Sequence, residues 1–246
     1  MGSNTMTKKN NVISLPDIIT NITMMKLNSK VSELEQKQRD TCEMAVRSIL
    51  KALNCKDEYT HGHSTRVAYY SLCLARELDL SDELLYDIEV AALFHDIGKI
   101  GVPDDILRKP DRLNAEEFEI MKKHPELSEE ILKGFEPFEN IARYTRHHHE
   151  RYDGRGYPDG LKGEEIPFAS RVILIADTFD AMTSTRPYRK GLSYQIAFEE
   201  LREFSGTQFD PKLVEPFIQA MEKEQAKQEE EFNLTVMQGQ YKKDAA

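Results

Sequence analysis

The residues of this chain best suited to chemistry are its histidines. All seven lie between positions 61 and 149 of a 246-residue chain: His61, His63, His95, His124, His147, His148 and His149. Asp96 directly follows the third of them, and Asp177 lies inside the apolar run RVILIADTFDAM. Imidazole and carboxylate groups are the ligands that bind iron, manganese, zinc or nickel. The pattern therefore favours a metal site with nitrogen and oxygen ligands.

Each of these residues also has an ordinary structural interpretation. A single histidine on a helix is usually a hydrogen-bonded structural residue, so His61 and His147 are left without a role. The three consecutive histidines are also compatible with a solvated helix end, and Asp177 with an ion pair to Arg171 or Arg186. A carboxylate in an apolar helix is costly, however, unless it is paired or metal-bound. Because the candidates come from five separate segments, we favour convergence on one metal site in a helical core.

The composition limits the classes of function that remain. Lys and Arg total 33 against 43 Asp and Glu, so the formal net charge is −10. Such an acidic chain is not expected to bind polymeric nucleic acid, and a small anionic substrate would need local positive charge. The three cysteines form no CxxC pair, and no apolar run reaches the roughly 18–20 residues of a membrane span. We therefore expect a reduced, cytoplasmic protein.

The elements that must position these side chains are predicted to be helices. Apolar residues recur at helical spacing over 63–78, and Ser81 is a capping residue for a second helix that ends near the His-Asp pair. Asn114 caps a third helix. That helix is predicted to stop near Lys123, because Pro125 disfavours the helical state of the residue before it.

The second half of the chain combines a long loop with further helices. Residues 150–168 contain four glycines and two prolines, and long loops in small domains tend to be functional. The apolar run at 171–182 is predicted to be a buried helix, with a buried strand as the alternative for VILIA. Ser193 and Asp210 each cap a later helix. With almost no strand signal, the fold class is all-α: a helical bundle with a metal site in its core and a long structured loop.

A set of longer motifs resembles a known family. HDIGK (95–99) and HHERYDGRGYP (148–158) are similar to the defining motifs of the HD-GYP family of bacterial cyclic di-GMP phosphodiesterases, within the HD superfamily of metal-dependent phosphohydrolases. The similarity continues through GHSTRV, KHPELS, PDGLKGEEIP, RVILIADTFDAM and RPYR, and covers about residues 55–220. A bare HD pair would be weak evidence, whereas this long and ordered set is specific.

The resemblance implies a role for each matching residue. It implies seven metal ligands: His63, His95, Asp96, His124, His148, His149 and Asp177. Asp96 is implied to bridge two ions and Lys99 to lie beside the scissile phosphate, so these two residues form the implied catalytic pair. Tyr157, Arg186 and Arg189, together with Lys99, are implied to bind the substrate. The two arginines would supply the local positive charge that an acidic protein needs.

One position departs from the family pattern. Members with three metals carry a glutamate one helical turn before the first histidine ligand, and the residue four positions before His63 is Tyr59. Glu58 is adjacent, but on a helix it faces another side, unless the backbone at 57–62 is not helical. His61 stays open as a stray ligand. We therefore predict two divalent metal ions; the resemblance implies iron, with manganese as the alternative.

The implied activity is hydrolysis of cyclic di-GMP to linear pGpG, and on to GMP if the linear product rebinds, by attack of a metal-bridged hydroxide. Two alternatives stay open. One is hydrolysis of another cyclic dinucleotide such as cyclic GMP-AMP, and the other is a non-catalytic cyclic di-GMP sensor or scaffold module. The presence of every implied ligand and of Lys99 favours catalysis.

Three parts are predicted along the chain. Residues 1–54 form a leader and N-terminal segment, loose to about residue 25 and helical over about 31–53. Residues 55–220 form the catalytic domain, and 221–246 form a charged helical extension. A homodimer through the N-terminal helix, and a sensor or receiver domain missing from this end, both stay open.

Overall fold

The structure is a computed structural model that describes residues 62–185 and 190–244, helical residues 23–34, and four single helical positions, Lys37, Thr41, Met44 and Ser48. The chain divides into two compact units, Met1–Lys51 and Ala52–Ala246. Every candidate site residue that the structure describes belongs to the second unit.

The described residues of the second unit form a succession of helices and turns. The α-helices, in chain order, are α1 (His63–Glu77), α2 (Asp82–Phe94), α3 (Asp104–Leu107), α4 (Ala115–Met121), α5 (His124–Leu132), α6 (Glu139–Arg146), α7 (Phe168–Thr183), α8 (Tyr194–Glu203) and α9 (Pro211–Asp244). Short 3₁₀ turns occupy Ile97–Gly101, Glu136–Phe138 and Gly163–Glu165.

Helix α7 is the centre of the bundle. It contains most of the apolar run, and the side chains of Val172, Ile173, Ile175 and Phe179 are fully buried. Helices α1, α2 and α8 pack around it. The predicted buried helix is confirmed, and the strand alternative for VILIA is wrong, because these residues lie inside the 16-residue helix α7, which other helices surround.

The predicted helix starts are confirmed in atomic detail. The Ser81 hydroxyl accepts a hydrogen bond from the Leu84 amide. Asn114 and Glu117 form a capping box, with bonds of 2.9 and 2.8 Å between each side chain and the other residue's amide. A carboxylate oxygen of Asp210 accepts the Lys212 amide at the start of α9.

One local prediction needs correction. His124 is helical and is the first residue of α5, whereas Pro125 was expected to exclude it from a helix. Helix α4 does end before it, at Met121. Proline is tolerated in the first turn of a helix because the amide it lacks has no partner there. The residue before it can therefore open the helix and carry its ring to the site.

The fold class is all-α, as predicted. Within the described ranges, β-type pairing is limited to one isolated bridge between Ser205 and Phe209. None of the helices described is both long and apolar enough to cross a membrane.

In the first unit, residues 23–34 are helical. This helix begins before the predicted start near Val31 and within the predicted leader, since methionine, leucine and lysine at 24–27 are strong helix formers. Lys30 and Glu33 form an exposed ion pair of 2.9 Å one turn apart. Beyond residue 34, the helix predicted over about 31–53 lies outside the described residues except at Lys37, Thr41, Met44 and Ser48.

Candidate metal centre and catalytic site

Helix ends carry four of the predicted ligands. His63 is the first residue of α1 and His124 the first of α5, while His95 and Asp96 directly follow α2. The 3₁₀ turn after Asp96 lies tightly against α5, because a Cβ on Gly98 would approach the His124 carbonyl oxygen to 2.0 Å. Only glycine fits at this crossing, which brings the His-Asp pair and His124 together.

The remaining predicted ligands come from two other elements. His148 and His149 lie in the turn that follows α6, and Asp177 projects from the middle of α7. The seven side chains form two adjacent groups, and within each group the ligand atoms lie within 4.8 Å of one another. The first group contains His63, His95 and Asp177, and the second contains Asp96, His124, His148 and His149.

Asp96 connects the two groups. Its Oδ2 lies 3.3 Å from Nε2 of His95 and 3.7 Å from Nε2 of His63. Its Oδ1 lies 3.3 Å from Nε2 of His124 and 4.0 Å from Nε2 of His148. One buried carboxylate thus presents a different oxygen to each group.

Backbone hydrogen bonds fix how three of the imidazoles face the cluster. Nδ1 of His95, His124 and His148 lies 2.6–2.8 Å from the carbonyl oxygen three residues earlier in each case. Since a carbonyl only accepts, Nδ1 carries the proton and donates it. In a neutral ring the lone pair is therefore on Nε2, which faces the cluster.

This arrangement fits a metal ion better than it fits a purely polar core. Nε2 of His95 is fully buried and makes no hydrogen bond. Nε2 of His124 and Nε2 of His148 lie 3.3 Å apart, so two neutral rings that donate through Nδ1 would turn their lone pairs toward each other. Unpaired buried lone pairs are costly, and histidines that donate through Nδ1 to a carbonyl are typical of metal ligands. The donor set therefore suits divalent cations.

The two cluster carboxylates are held ionised. Burial by itself raises the pKa of Asp96, but the positive charge of Lys99 is the largest of the effects that outweigh it, and the pKa is held well below its usual range. Burial also opposes ionisation of Asp177, and the hydrogen bond to His63 more than compensates, so that this pKa is lowered as well. Both side chains are thus negative at neutral pH, the state that binds a cation.

The histidines divide into neutral and charged members when no cation is bound. Burial lowers the pKa of His148, and it lowers that of His149 to about 3. For His63 burial acts in the same direction, but hydrogen bonds to Asp177 and Asp180 outweigh it and raise the pKa to about 9. Binding a cation at His63 therefore requires release of a proton.

Asp180 contacts His63 on the side of the ring that faces away from the cluster. Its carboxylate lies 2.7 Å from Nδ1 of His63, and Arg66 holds it with bonds of 2.6 and 3.1 Å. Asp180 is only 1% exposed. A carboxylate behind a histidine fixes the ring and directs Nε2 toward the cluster. Sequence reasoning missed this residue, although a second acidic residue one turn after Asp177 in an apolar helix was a visible signal.

Lys99 lies at the edge of the cluster. Its Nζ donates to Oδ2 of Asp96 at 2.6 Å, and its side chain is 26% exposed. The ammonium group is therefore both in contact with the connecting carboxylate and accessible to a small anion.

The loop that carries the GYP triplet is held by a buried carboxylate. Glu150 is fully buried, and its two oxygens accept the backbone amides of Asp159, Gly160 and Leu161 at 2.7–3.1 Å. Burial raises its pKa, and those amide bonds partly offset the effect. Sequence reasoning gave Glu150 no role, and its position directly after the two histidines was the available signal.

Ion pairs attach the same loop to α6. Arg146 donates to both oxygens of Asp159 at 2.7 and 2.8 Å and to Glu129 at 2.9 Å. Nε2 of His147 lies 3.0 Å from Asp159 as well. His147, which the sequence left unassigned, thus belongs to this network and to neither ligand group.

Tyr157 of the triplet lies against the second group. Its ring centroid is 4.8 Å from that of His149, with the planes 33° apart. Gly156 permits this approach, since a Cβ there would come within 2.3 Å of the Arg151 amide nitrogen. Burial raises the pKa of Tyr157, so the hydroxyl stays protonated at neutral pH.

Several sequence-based assignments cannot be located or need correction. The predicted substrate residues Arg186 and Arg189 lie outside the described residues, as do Tyr59, Glu58 and His61. The alternative in which Asp177 pairs with Arg171 is wrong, because Arg171 forms its ion pair with Asp210.

The sequence profile of the HD domain matches residues 47–213. The match covers more than half of the chain, so this protein belongs to the HD domain family, and the resemblance to its HD-GYP members is confirmed. That family assignment agrees with the His-Asp pair at the centre of the cluster.

Curated relatives within the family act on cyclic dinucleotides, as their names state. A cyclic di-GMP phosphodiesterase of Thermotoga maritima is 44% identical over 182 residues, which are 72% of this chain and 49% of that protein. The cyclic di-GMP phosphodiesterase response regulator RpfG of Xanthomonas campestris is 38% identical over 195 residues, or 78% and 50%. The 3′3′-cGAMP-specific phosphodiesterase 3 of Vibrio cholerae is 41% identical over 170 residues, or 69% and 37%. The chain thus spans about half the length of these relatives or less.

Solved structures share the fold. The cyclic GMP-AMP specific phosphodiesterase V-cGAP3 of V. cholerae superposes with a TM-score of 0.58 at 22% identity, covering 72% of this chain and 48% of that one. The HD domain of PgpH from Listeria monocytogenes, in complex with cyclic-di-AMP, gives 0.51 at 20% identity, covering 70% and 92%. At these identities the likeness shows the helical fold alone.

Proposed function

We propose that this chain is a metal-dependent phosphodiesterase that hydrolyses cyclic di-GMP to linear pGpG, with further cleavage to GMP when the linear product rebinds. The observation that carries the proposal is the position of Asp96, whose two oxygens face different ligand groups while Lys99 contacts one of them. Paired cations close together are a recurring solution for in-line displacement at phosphorus. The Thermotoga relative, which is named a cyclic di-GMP phosphodiesterase, supports this substrate class.

Two divalent cations would be held by the clustered side chains. His63, His95 and Asp177 would hold one of them. His124, His148 and His149 would hold the other, and Asp96 would reach both.

Iron is the proposed native metal and manganese its substitute, while the ligand types alone also permit zinc and nickel. Tyr59, in place of a glutamate, supports two ions rather than three. When bound, such ions polarise phosphoryl oxygens and lower the pKa of water.

The other residues of the chain would bind and orient the substrate. Lys99 would place positive charge beside the reacting phosphate, or give a proton to the leaving 3′-oxygen, from its partly exposed position beside Asp96. Arg186 and Arg189 would bind phosphate through their planar guanidinium groups. Tyr157 would contact the substrate beside His149.

A second candidate substrate is 3′3′-cyclic GMP-AMP. The observation that favours it is the 41% identity to a V. cholerae enzyme named for that specificity. Both substrates offer the same phosphodiester to the cluster and differ only in one base. Comparison of kcat/KM for the two dinucleotides therefore decides between them.

The test of the proposed function is product analysis. The protein is loaded anaerobically with Fe(II) or Mn(II), incubated with each cyclic dinucleotide, and the products are separated by ion-exchange chromatography. We expect pGpG or GMP from cyclic di-GMP in the parent and neither in Asp96→Ala. Binding of cyclic di-GMP without turnover would support a sensor or scaffold module instead, and turnover of cyclic GMP-AMP alone would support the second candidate.

We also propose residues 55–220 as the catalytic domain and 221–246 as a helical extension of it. Relatives about twice as long support the presence of further domains in proteins of this kind. A homodimer and an N-terminal sensor or receiver domain stay predictions, as does the cytoplasmic location.

A further inference from the structure

One aromatic side chain beside the metal cluster has no role in the site described so far. Phe118 lies on α4, and 46% of it is exposed. Its ring centroid is 6.3 Å from that of Tyr157, with the planes 80° apart. An exposed aromatic residue is ordinary by itself. What distinguishes Phe118 is that its ring contacts the ring of Tyr157.

A row of rings leads outward from the cluster to Phe118. The ring of His149, a member of the second ligand group, is 4.8 Å from Tyr157, which is 6.3 Å from Phe118. A phosphodiester at the cluster would thus have an aromatic surface within reach of the group attached through its ribose. In a cyclic dinucleotide, that group is a purine base.

The surroundings of Phe118 suit a base as well. Nζ of Lys122 lies 5.5 Å from the centroid of the Phe118 ring. The ammonium group lies over one face of the ring, where its charge complements the carbonyl oxygen of guanine and the phosphates of the ligand, and a base would stack on the opposite face. Every nucleobase has a flat face that stacks on an aromatic side chain.

We propose that Phe118 is a base-stacking residue of the substrate site and a determinant of affinity for cyclic dinucleotides. This inference rests on the proposed function, and it adds a subsite for the nucleobase. Phe118 would stabilise the bound nucleotide without contact with the reacting phosphate. Its loss should therefore affect only substrates that carry a base.

The kinetic test compares two substrates on the metal-loaded protein. In Phe118→Ala, KM for cyclic di-GMP should rise about tenfold or more, as expected for loss of one stacking contact. The kcat/KM for glycerophosphocholine, a phosphodiester without any aromatic ring, should stay within about twofold of the parent. Phe118→Leu, which keeps apolar area but no ring, should behave like the alanine variant. Phe135 is also 46% exposed, so Phe135→Ala is the matched control and should match the parent on both substrates.

A binding test uses the absence of tryptophan from the sequence. Phe118→Trp introduces a single indole, whose fluorescence should be quenched by cyclic di-GMP if guanine stacks on it, whereas Phe135→Trp should show no change. Unchanged KM in Phe118→Ala, or equal quenching in both tryptophan variants, would overturn the inference. Quenching at position 118 without any hydrolysis by the parent would sustain the stacking site and reject the proposed catalytic function.

Discussion

Nε2 of His124 lies 3.3 Å from Nε2 of His148, and each ring is held in that position by a hydrogen bond from Nδ1 to a backbone carbonyl three residues earlier. Two imidazole lone pairs at this distance repel unless a proton or a cation lies between them. Because burial lowers the pKa of His148, a proton on that ring is disfavoured. The backbone hydrogen bonds thus hold both rings in an orientation that suits a shared metal ion.

Metal removal should consequently destabilise the fold. Adding Mn(II) to chelator-treated protein at about 100 times its Kd should contribute about 2.7 kcal/mol, which corresponds to a rise in Tm of about 5–10 °C for a domain of this size. Differential scanning calorimetry measures the shift.

Neighbouring histidines provide the control for this experiment. His148→Ala should lose most of the metal-dependent rise in Tm, whereas His147→Ala should keep it, since His147 bonds Asp159 outside the ligand groups. A similar response in both variants, or no response in the parent, would show that the cluster does not bind metal in this way.

Asp180 should govern metal affinity without contact with the metal. Asp180→Asn removes the negative charge behind His63 and should weaken Mn(II) binding about 10–100-fold, the range found for residues that support a metal ligand. Isothermal titration calorimetry reports the affinity. The control is Asp87→Asn, a carboxylate on α2 whose partner is Asn140. Equal Mn(II) affinities in the two variants would show that Asp180 does not support the metal site.

Lys99 should affect turnover and leave metal content intact. Lys99→Met should lower kcat for cyclic di-GMP by about 10²-fold or more, because it removes the positive charge beside the reacting phosphate or the proton donor for the leaving 3′-oxygen. Lys109→Met is a close control, since Lys109 is 28% exposed and bonds a carboxylate at 2.6 Å. Loss of metal from the Lys99 variant would instead show that the lysine acts only by stabilising Asp96.

Metal binding should strengthen as the pH rises. In the metal-free protein the pKa of His63 is raised from 6.5 to about 9, so the protonated ring stabilises the fold fully below pH 6.5 and loses this effect as the pH rises through about 9. A cation must displace that proton. Mn(II) affinity should therefore increase between pH 6.5 and about 9, by up to about tenfold per unit. A flat profile would indicate that His63 is not a ligand.

Much of the fold could be predicted because its signals are local. The caps at Ser81 and Asn114 depend on residues three positions apart, and the buried helix around Asp177 is a single apolar run. The predicted ligands also come from local motifs, and the structure brings them together in two adjacent groups. Pro125 misled the prediction because the preference against helical backbone before a proline is a bias that packing can override, and His124 opens a helix.

The supporting residues of the site were missed because their partners are distant or were not considered together. Asp180 lies 117 positions after His63 in the sequence, and no sequence pattern around either residue predicts their contact. Glu150 accepts amides nine to eleven residues ahead, in a loop whose course only the folded backbone defines. Such pairings follow from packing and not from periodicity.

The central claim is that Asp96 joins two cations in one hydrolytic centre. The most direct measurement is a titration of Mn(II) into chelator-treated protein, with bound metal per chain and the initial rate of cyclic di-GMP hydrolysis measured on the same samples. The rate should rise to a plateau as the second ion binds, consistent with a paired-metal centre. A plateau at one ion or at three, or no hydrolysis at any loading, would contradict the claim.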